Sequence, residues 1–297
     1  MKVIVLGSGT STGVPYIGCN CKVCNSTDPH DHRLRCCSLV ETDDNKHILL
    51  DCSPDFRQQM LRLYEEGVFP KRSYTAQDYT PNQETLIDGV FLTHCHYDHV
   101  GGLDDLRPGI FGDITVYAEE SVIRHLEARI PYCFKSYYKG TPKLNEHLLE
   151  IEDSPKGYEH PENAAVNIGN NKIIPLRVYH AIKHQYPILG FRIGPLAYIT
   201  DMRTYPEETL HYLQQAKLNT LFVNCLRYRE HPTHQNFEQA IAFARTVRAK
   251  HTYFIHVCHE IGLHEEAEAR LQTRLKELQD NIDIHFAYDG EQITVTD

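Results

Sequence analysis

Short apolar runs that end on a single acid or histidine recur along this chain, and they predict most of its elements. Lys2 to Leu6 reads as an opening strand, Cys37 to Glu41 and His47 to Leu50 as a hairpin pair, and Gly89 to Thr93 as a buried strand. Further strands are expected over Ile173 to Tyr179, Leu196 to Thr200, Leu221 to Cys225 and Thr252 to Ile255. Apolar positions at helical spacing predict helices over Pro54 to Glu66, Pro206 to Gln215, Asn236 to Lys250 and Leu263 to Leu278, each with a charged outer face. Strand and helix signals alternate, which places the chain in the α/β (α+β) class. Two stretches break the rhythm, 69–85, rich in Pro, Tyr and Gln, and 132–171, with Pro, Gly, Asn and several acids. Both read as inserted loops of one domain spanning 1–297. The glycine-rich segment 7–13 lacks the ending of a phosphate-binding loop and reads as a tight turn.

The residues that close the apolar runs carry the chemistry. After Gly89 to Thr93 comes His94-Cys95-His96-Tyr97-Asp98-His99, with three imidazoles and a carboxylate in six positions. Such a cluster suits a transition metal. On a strand-like backbone His94 and His96 point the same way, while Asp98 and His99 point elsewhere, so the spacing suggests two adjacent ions. Asp51, His180, Asp201 and His256 close four other runs in the same manner. One polar strand cap would mean little, but the recurrence matches a metal site assembled along one edge of packed sheets.

Composition narrows the class. At 297 residues with 41% hydrophobic content, the chain has ample material for a core. Its longest apolar runs are too short and interrupted to span a membrane, and its first residues enter a strand directly, so a cytoplasmic protein is expected. A formal net charge of -10 argues against broad electrostatic binding to nucleic acid. The 10 cysteines are too dilute for a disulfide scaffold, and Cys19-x-Cys21-x-x-Cys24 has the spacing of a zinc loop that still needs a fourth ligand. A homodimer stays open.

Taken together, Asp51, the His94-x-His96-x-Asp98-His99 cluster, His180, Asp201 and His256 resemble the metallo-beta-lactamase fold superfamily. That resemblance implies a four-layer αββα sandwich of two mixed sheets with helices outside, binding metal at one edge. It implies His94, His96 and His180 on a first ion, Asp98, His99 and His256 on a second, Asp201 between them, and Asp51 behind a ligand, orienting it. His184 is the alternative to His180. Zinc, manganese or iron would suit the active site.

A narrower resemblance rests on Cys19, Cys21 and Cys24 together with His256-x-x-His259 and the opening Gly-Ser-Gly-Thr-Ser-Thr-Gly-Val-Pro. These are similar to the PhnP-type branch, the phosphoribosyl cyclic phosphodiesterases. It implies a structural zinc on Cys19, Cys21, Cys24 and His259. It further implies a catalytic histidine after the strand Leu221 to Cys225, with His234 the best match and His231 in reserve. The expected activity is hydrolysis of a small or cyclic phosphate ester through a hydroxide held by two metals. Asp98, Asp51 and His234 form the implied catalytic set. A tRNA 3'-end endonuclease, a thioester or lactam hydrolase, and a non-catalytic metal-binding accessory protein remain as alternatives.

Overall fold

The computed structural model describes residues 1–71, 86–135, 140–182 and 186–296. Two seven-stranded sheets form its centre. In the first sheet β1 (Lys2–Gly7), β2 (Cys37–Glu41) and β3 (His47–Leu50) run as an antiparallel meander. Helix α1 (Phe56–Glu65) then leads to β4 (Gly89–Phe91), which lies parallel to β3. The short helices α2 (Tyr97–Val100) and α3 (Pro108–Phe111) precede β5 (Ile114–Ala118). Helices α4 (Glu120–Arg129) and α5 (Pro131–Phe134) precede the edge strand β6 (Leu144–Leu148).

The chain crosses to the second sheet after α6 (Pro155–Glu159). There β7 (Val166–Ile168), β8 (Asn171–Tyr179) and β9 (Pro187–Ile193) are antiparallel neighbours. Next, β10 (Leu196–Ile199) turns back along β9, and α7 (Glu207–Gln215) returns the chain to β11 (Thr220–Asn224), parallel to β10. Helix α8 (Phe237–Val247), β12 (His251–Ile255), α9 (His264–Glu277) and β13 (Asp283–Phe286) extend this parallel run. Finally β14 (Gln292–Thr294) pairs with β1 in the first sheet.

Side-chain alternation explains the layering. Val3, Val5, Ile48, Leu50 and Phe91 turn inward and meet Leu189, Phe191, Tyr198, Phe222 and Ile255 of the other sheet. Their neighbours Ile4, Leu6, Leu49 and Val90 turn outward onto Phe56, Met60 and Leu63 of α1 and Leu126 of α4. Likewise Ile199, Leu221, Val223 and Phe254 pack under Leu213, Ile241, Ala244 and Leu271 of α7, α8 and α9. The central strands are therefore covered on both faces, which is why they read as continuous apolar runs rather than alternating ones. Each fully buried side chain of this size contributes about 1.5–3 kcal/mol. The result is the expected αββα sandwich.

Two expectations change. The stretch 132–171, read as an inserted loop, holds β6 and β7, the outermost strand of each sheet. Only Leu144 of β6 is buried, so an edge strand with one apolar position gave no alternation to detect. Of 69–85, residues 72–85 lie outside the described residues. In addition, β4 ends at Phe91, so His94 and His96 follow the strand rather than continue it.

Candidate metal centre

Strands β3, β4, β8, β10, β11 and β12 all point their C-terminal ends at one edge of the sandwich, as their parallel and twice-antiparallel pairings require. Backbone bonds stitch the two sheets there: Leu189 N–H donates to Thr93 O at 3.0 Å, and Val257 N–H donates to Ser8 O at 3.0 Å. Gly7 and Gly9 serve this closure. A Cβ on Gly7 would lie 2.1 Å from Arg35 O, and one on Gly9 would lie 2.8 Å from Arg33 O.

Asp51 and His256 directly follow the last residue of a strand, Asp201 comes two residues after the end of β10, and each adopts a left-handed backbone, with φ of 61°, 56° and 56°. Asp and His tolerate this region better than most residues, yet it still costs on the order of 1–3 kcal/mol per position. The turn it makes swings each side chain off the strand and into the edge. All three are essentially fully buried.

The expected ligands gather in two adjoining groups. One ligand atom from each of His94, His96 and His180 lies within 4.8 Å of the others, and the same holds for Asp98, His99, Asp201 and His256. Asp201 faces both sides. Its Oδ2 is 3.1 Å from His99 Nε2 and its Oδ1 is 3.2 Å from His256 Nε2, while His234 Nδ1 stands 3.7 Å from Oδ1. Asp201, His180 and His234 form a further close set. His231 lies tilted against His234, with ring centroids 5.0 Å apart, but joins no ligand group among the described residues, and His184 lies outside the described residues.

Buried partners set the tautomers. His99 Nδ1 is 2.7 Å from Asp51 Oδ2, and Asp51 also accepts from Thr93 N–H at 2.9 Å and from the Thr93 hydroxyl. His180 Nδ1–H donates to Asp201 O at 2.7 Å, which turns its Nε2 toward the centre. Burial would suppress the charge on His99, but Asp201, Asp98 and Asp51 together hold it well above its usual pKa. Burial opposes ionisation of Asp201 too, yet His256 and His99 keep it well below the usual carboxylate range. Burial drives His94 well below its normal value, and pushes His234 down to about 2 against the pull of Asp201.

The residues fit a resident metal. Nε2 of His94 is buried without a hydrogen-bond partner among the described residues, as is His234 Nδ1. Such orphans are costly unless something is coordinated there. Imidazole with carboxylate is a donor set for zinc, manganese or iron.

A second constellation sits beside the first. Sγ of Cys19, Cys21 and Cys24 lie 3.4, 3.5 and 3.5 Å from His259 Nδ1. Tetrahedral zinc with about 2.3 Å to sulfur and about 2.0–2.1 Å to nitrogen separates those ligand atoms by roughly 3.5 Å. The backbone N–H of Cys24 donates to Cys21 Sγ at 3.4 Å; this contact, with His259, lowers the Cys21 thiol to about 6. His256 and His259, three residues apart after β12, thus serve one constellation each.

Sequence reasoning missed three supporting groups. The Thr93 hydroxyl braces Asp51, and the Thr200 hydroxyl donates to Asp201 Oδ2 at 2.6 Å. Tyr186 stacks on His96, with ring centroids 5.4 Å apart. A threonine directly before or after a strand-end acid or histidine was the available signal for the first two.

Residues 46–257 match a family model described as a beta-lactamase superfamily domain. Among solved structures, a diphosphatase of the PhnP family is 35% identical with a TM-score of 0.76, covering 98% of this chain and 96% of that one. Zinc-bound PqqB from Methylobacterium extorquens has a TM-score of 0.71 at 18% identity, over 99% of this chain and 100% of that one, a likeness of fold. An octanoyltransferase of Porphyromonas gingivalis is 40% identical over 98% of this chain. The chain spans 51% of that protein's length. It matches coenzyme PQQ synthesis protein B of Rhodopseudomonas palustris at 32% identity, over 43% of this chain and 39% of that protein. With its sandwich, its edge site and this family match, the chain belongs to the metallo-beta-lactamase fold superfamily.

Proposed function

We propose that this protein hydrolyses a small molecule at a phosphate carrying two substituents, either a cyclic or linear phosphodiester or a diphosphate. The observation that carries this reading is that Asp201 belongs both to the close set of Asp98, His99 and His256 and to that of His180 and His234, with His234 Nδ1 3.7 Å away. In this reading His94, His96 and His180 hold one divalent ion, Asp98, His99 and His256 hold another, and Asp201 lies between. Cys19, Cys21, Cys24 and His259 hold a structural zinc. The active-site ions, when bound, supply Lewis acidity toward the phosphoryl oxygens and acidify water, as two-metal sites do.

The chain's own residues do the rest. Asp51, braced by Thr93, fixes the His99 ring, and the Asp201 carbonyl fixes that of His180. Such supporting contacts hold ligands in the geometry that chemistry needs. His234 stabilises charge developing on the phosphoryl group or hands a proton to the leaving oxygen. The 35% identity to a PhnP-family diphosphatase over nearly both full chains supports phosphorus over carbon as the centre attacked. The octanoyltransferase that this chain matches is about twice as long as the chain.

A turnover screen tests the assignment. Metal-reconstituted protein is expected to cleave cyclic phosphates, linear diesters or diphosphates faster than thioesters or a lactam. Turnover confined to thioesters or the lactam would overturn it and favour acyl chemistry. His234→Ala is expected to fold, keep its full metal content and lose about 10²–10⁴-fold in kcat. Unchanged kcat would remove His234 from the reaction.

A further inference from the structure

Beside the metal centre lies a groove that none of its ligands enters. It encloses about 430 Å³ between the loop 203–205 and one stripe of α8, Gln239, Ala242, Phe243 and Thr246. That volume is in the range of small-molecule sites. Its inner end adjoins the centre along the chain: Arg203 comes two residues after Asp201, Gln235 follows His234, and Gln235 N–H donates to Met202 O at 3.2 Å. Arg203 N–H donates to Tyr179 O at 2.8 Å, one residue before His180.

Three polar side chains of the groove are already engaged. The Thr204 hydroxyl donates to Ala181 O, the Thr246 hydroxyl to Ala242 O, and Gln239 Oε1 accepts from Asn236 N–H in the helix cap. Two are not. Arg203 makes no ion pair or side-chain hydrogen bond among the described residues, and its Nε is buried. Gln235 is 3% exposed, and its Oε1 is buried with no partner among the described residues. A solvated surface arginine would not bury its Nε, and 40 acids against 30 cations leave many carboxylates that could have paired with it. A buried donor and a buried amide left open in one cavity need an explanation. The forked guanidinium matches a carboxylate or phosphate. Tyr205 and Phe243, with ring centroids 4.9 Å apart, supply an apolar wall.

We propose that this groove is a binding site for a small oxyanion, phosphate or carboxylate, held by Arg203 with Gln235 contacting the polar body of the same ligand. The oxyanion is either the non-reacting end of the substrate or a separate small metabolite. This inference goes beyond the reaction proposed above and is tested without it.

Calorimetric titration of the metal-loaded protein with glycerol 3-phosphate, and separately with malonate, is the measurement. At least one probe should bind, at least tenfold more weakly to Arg203→Gln than to the unmodified protein. Arg203→Lys should fall between, because it restores the charge without the fork. Gln235→Leu should also bind more weakly. Thermal melting confirms that each variant is folded. Equal affinity of Arg203→Gln and the unmodified protein for both probes, or no binding by the unmodified protein, overturns the site. Where turnover is measurable, competitive inhibition by the probe identifies the substrate's own end as the occupant. Noncompetitive inhibition identifies a separate anion.

Discussion

Asp201→Ala is expected to lower turnover by about three orders of magnitude, roughly 4 kcal/mol of barrier, and to lose active-site metal. The carboxylate lies 3.1 Å from His99 and 3.2 Å from His256 and belongs to the close set with His180 and His234. Among the described residues no other carboxylate belongs to two of these sets. Its removal takes a negative charge from the junction of both groups. Asp201→Asn separates charge from shape. Asparagine keeps the size and tolerates the left-handed backbone, so the variant should fold as well as the parent while still losing metal and rate. Elemental analysis alongside kcat decides the matter. An Asp201→Ala protein that keeps its metal content and its turnover would remove Asp201 from the centre.

Cys21→Ala should lose one ion per chain and destabilise the fold by on the order of 3 kcal/mol, a fall in Tm of roughly 5–10 °C. Structural zinc contributes folding free energy outright, but here the sandwich has a large core of its own, so only part of the chain depends on the ion. Other contacts also tie the cysteine loop to the body. Among the described residues these include the exposed Lys22–Glu266 pair and the stack of Tyr16 on His259 at 5.6 Å. An exposed ion pair of that kind is worth under about 1 kcal/mol. The effect should also reach the active site, because His259 is three residues from His256. Full metal content and an unchanged Tm would show that the cysteines hold nothing.

The apolar runs made the central strands and the edge site legible. Cys37–Glu41 and His47–Leu50 form the hairpin at the residues expected, because both strands are buried on both faces. Asp51, Asp201 and His256 stood out as polar residues closing such runs, and the structure brings them together with the His94–His99 cluster. What could not be read depends on contacts between distant segments. The edge strands β6 and β7 lack the burial that writes a pattern into sequence. The pairing of Thr93 with Asp51 spans 42 residues, and the open guanidinium of Arg203 is visible only once every possible partner has been placed.

The left-handed turns at Asp51, Asp201 and His256 set backbone preference against chemistry. Glycine would relieve the strain at each of these positions, and no glycine can bind or orient an ion. A library of variants selected for heat resistance alone should therefore drift toward glycine at all three and discard the centre while the fold persists. Selection for turnover should hold them fixed. These positions are where evolution for durability and evolution for activity would pull this chain in opposite directions.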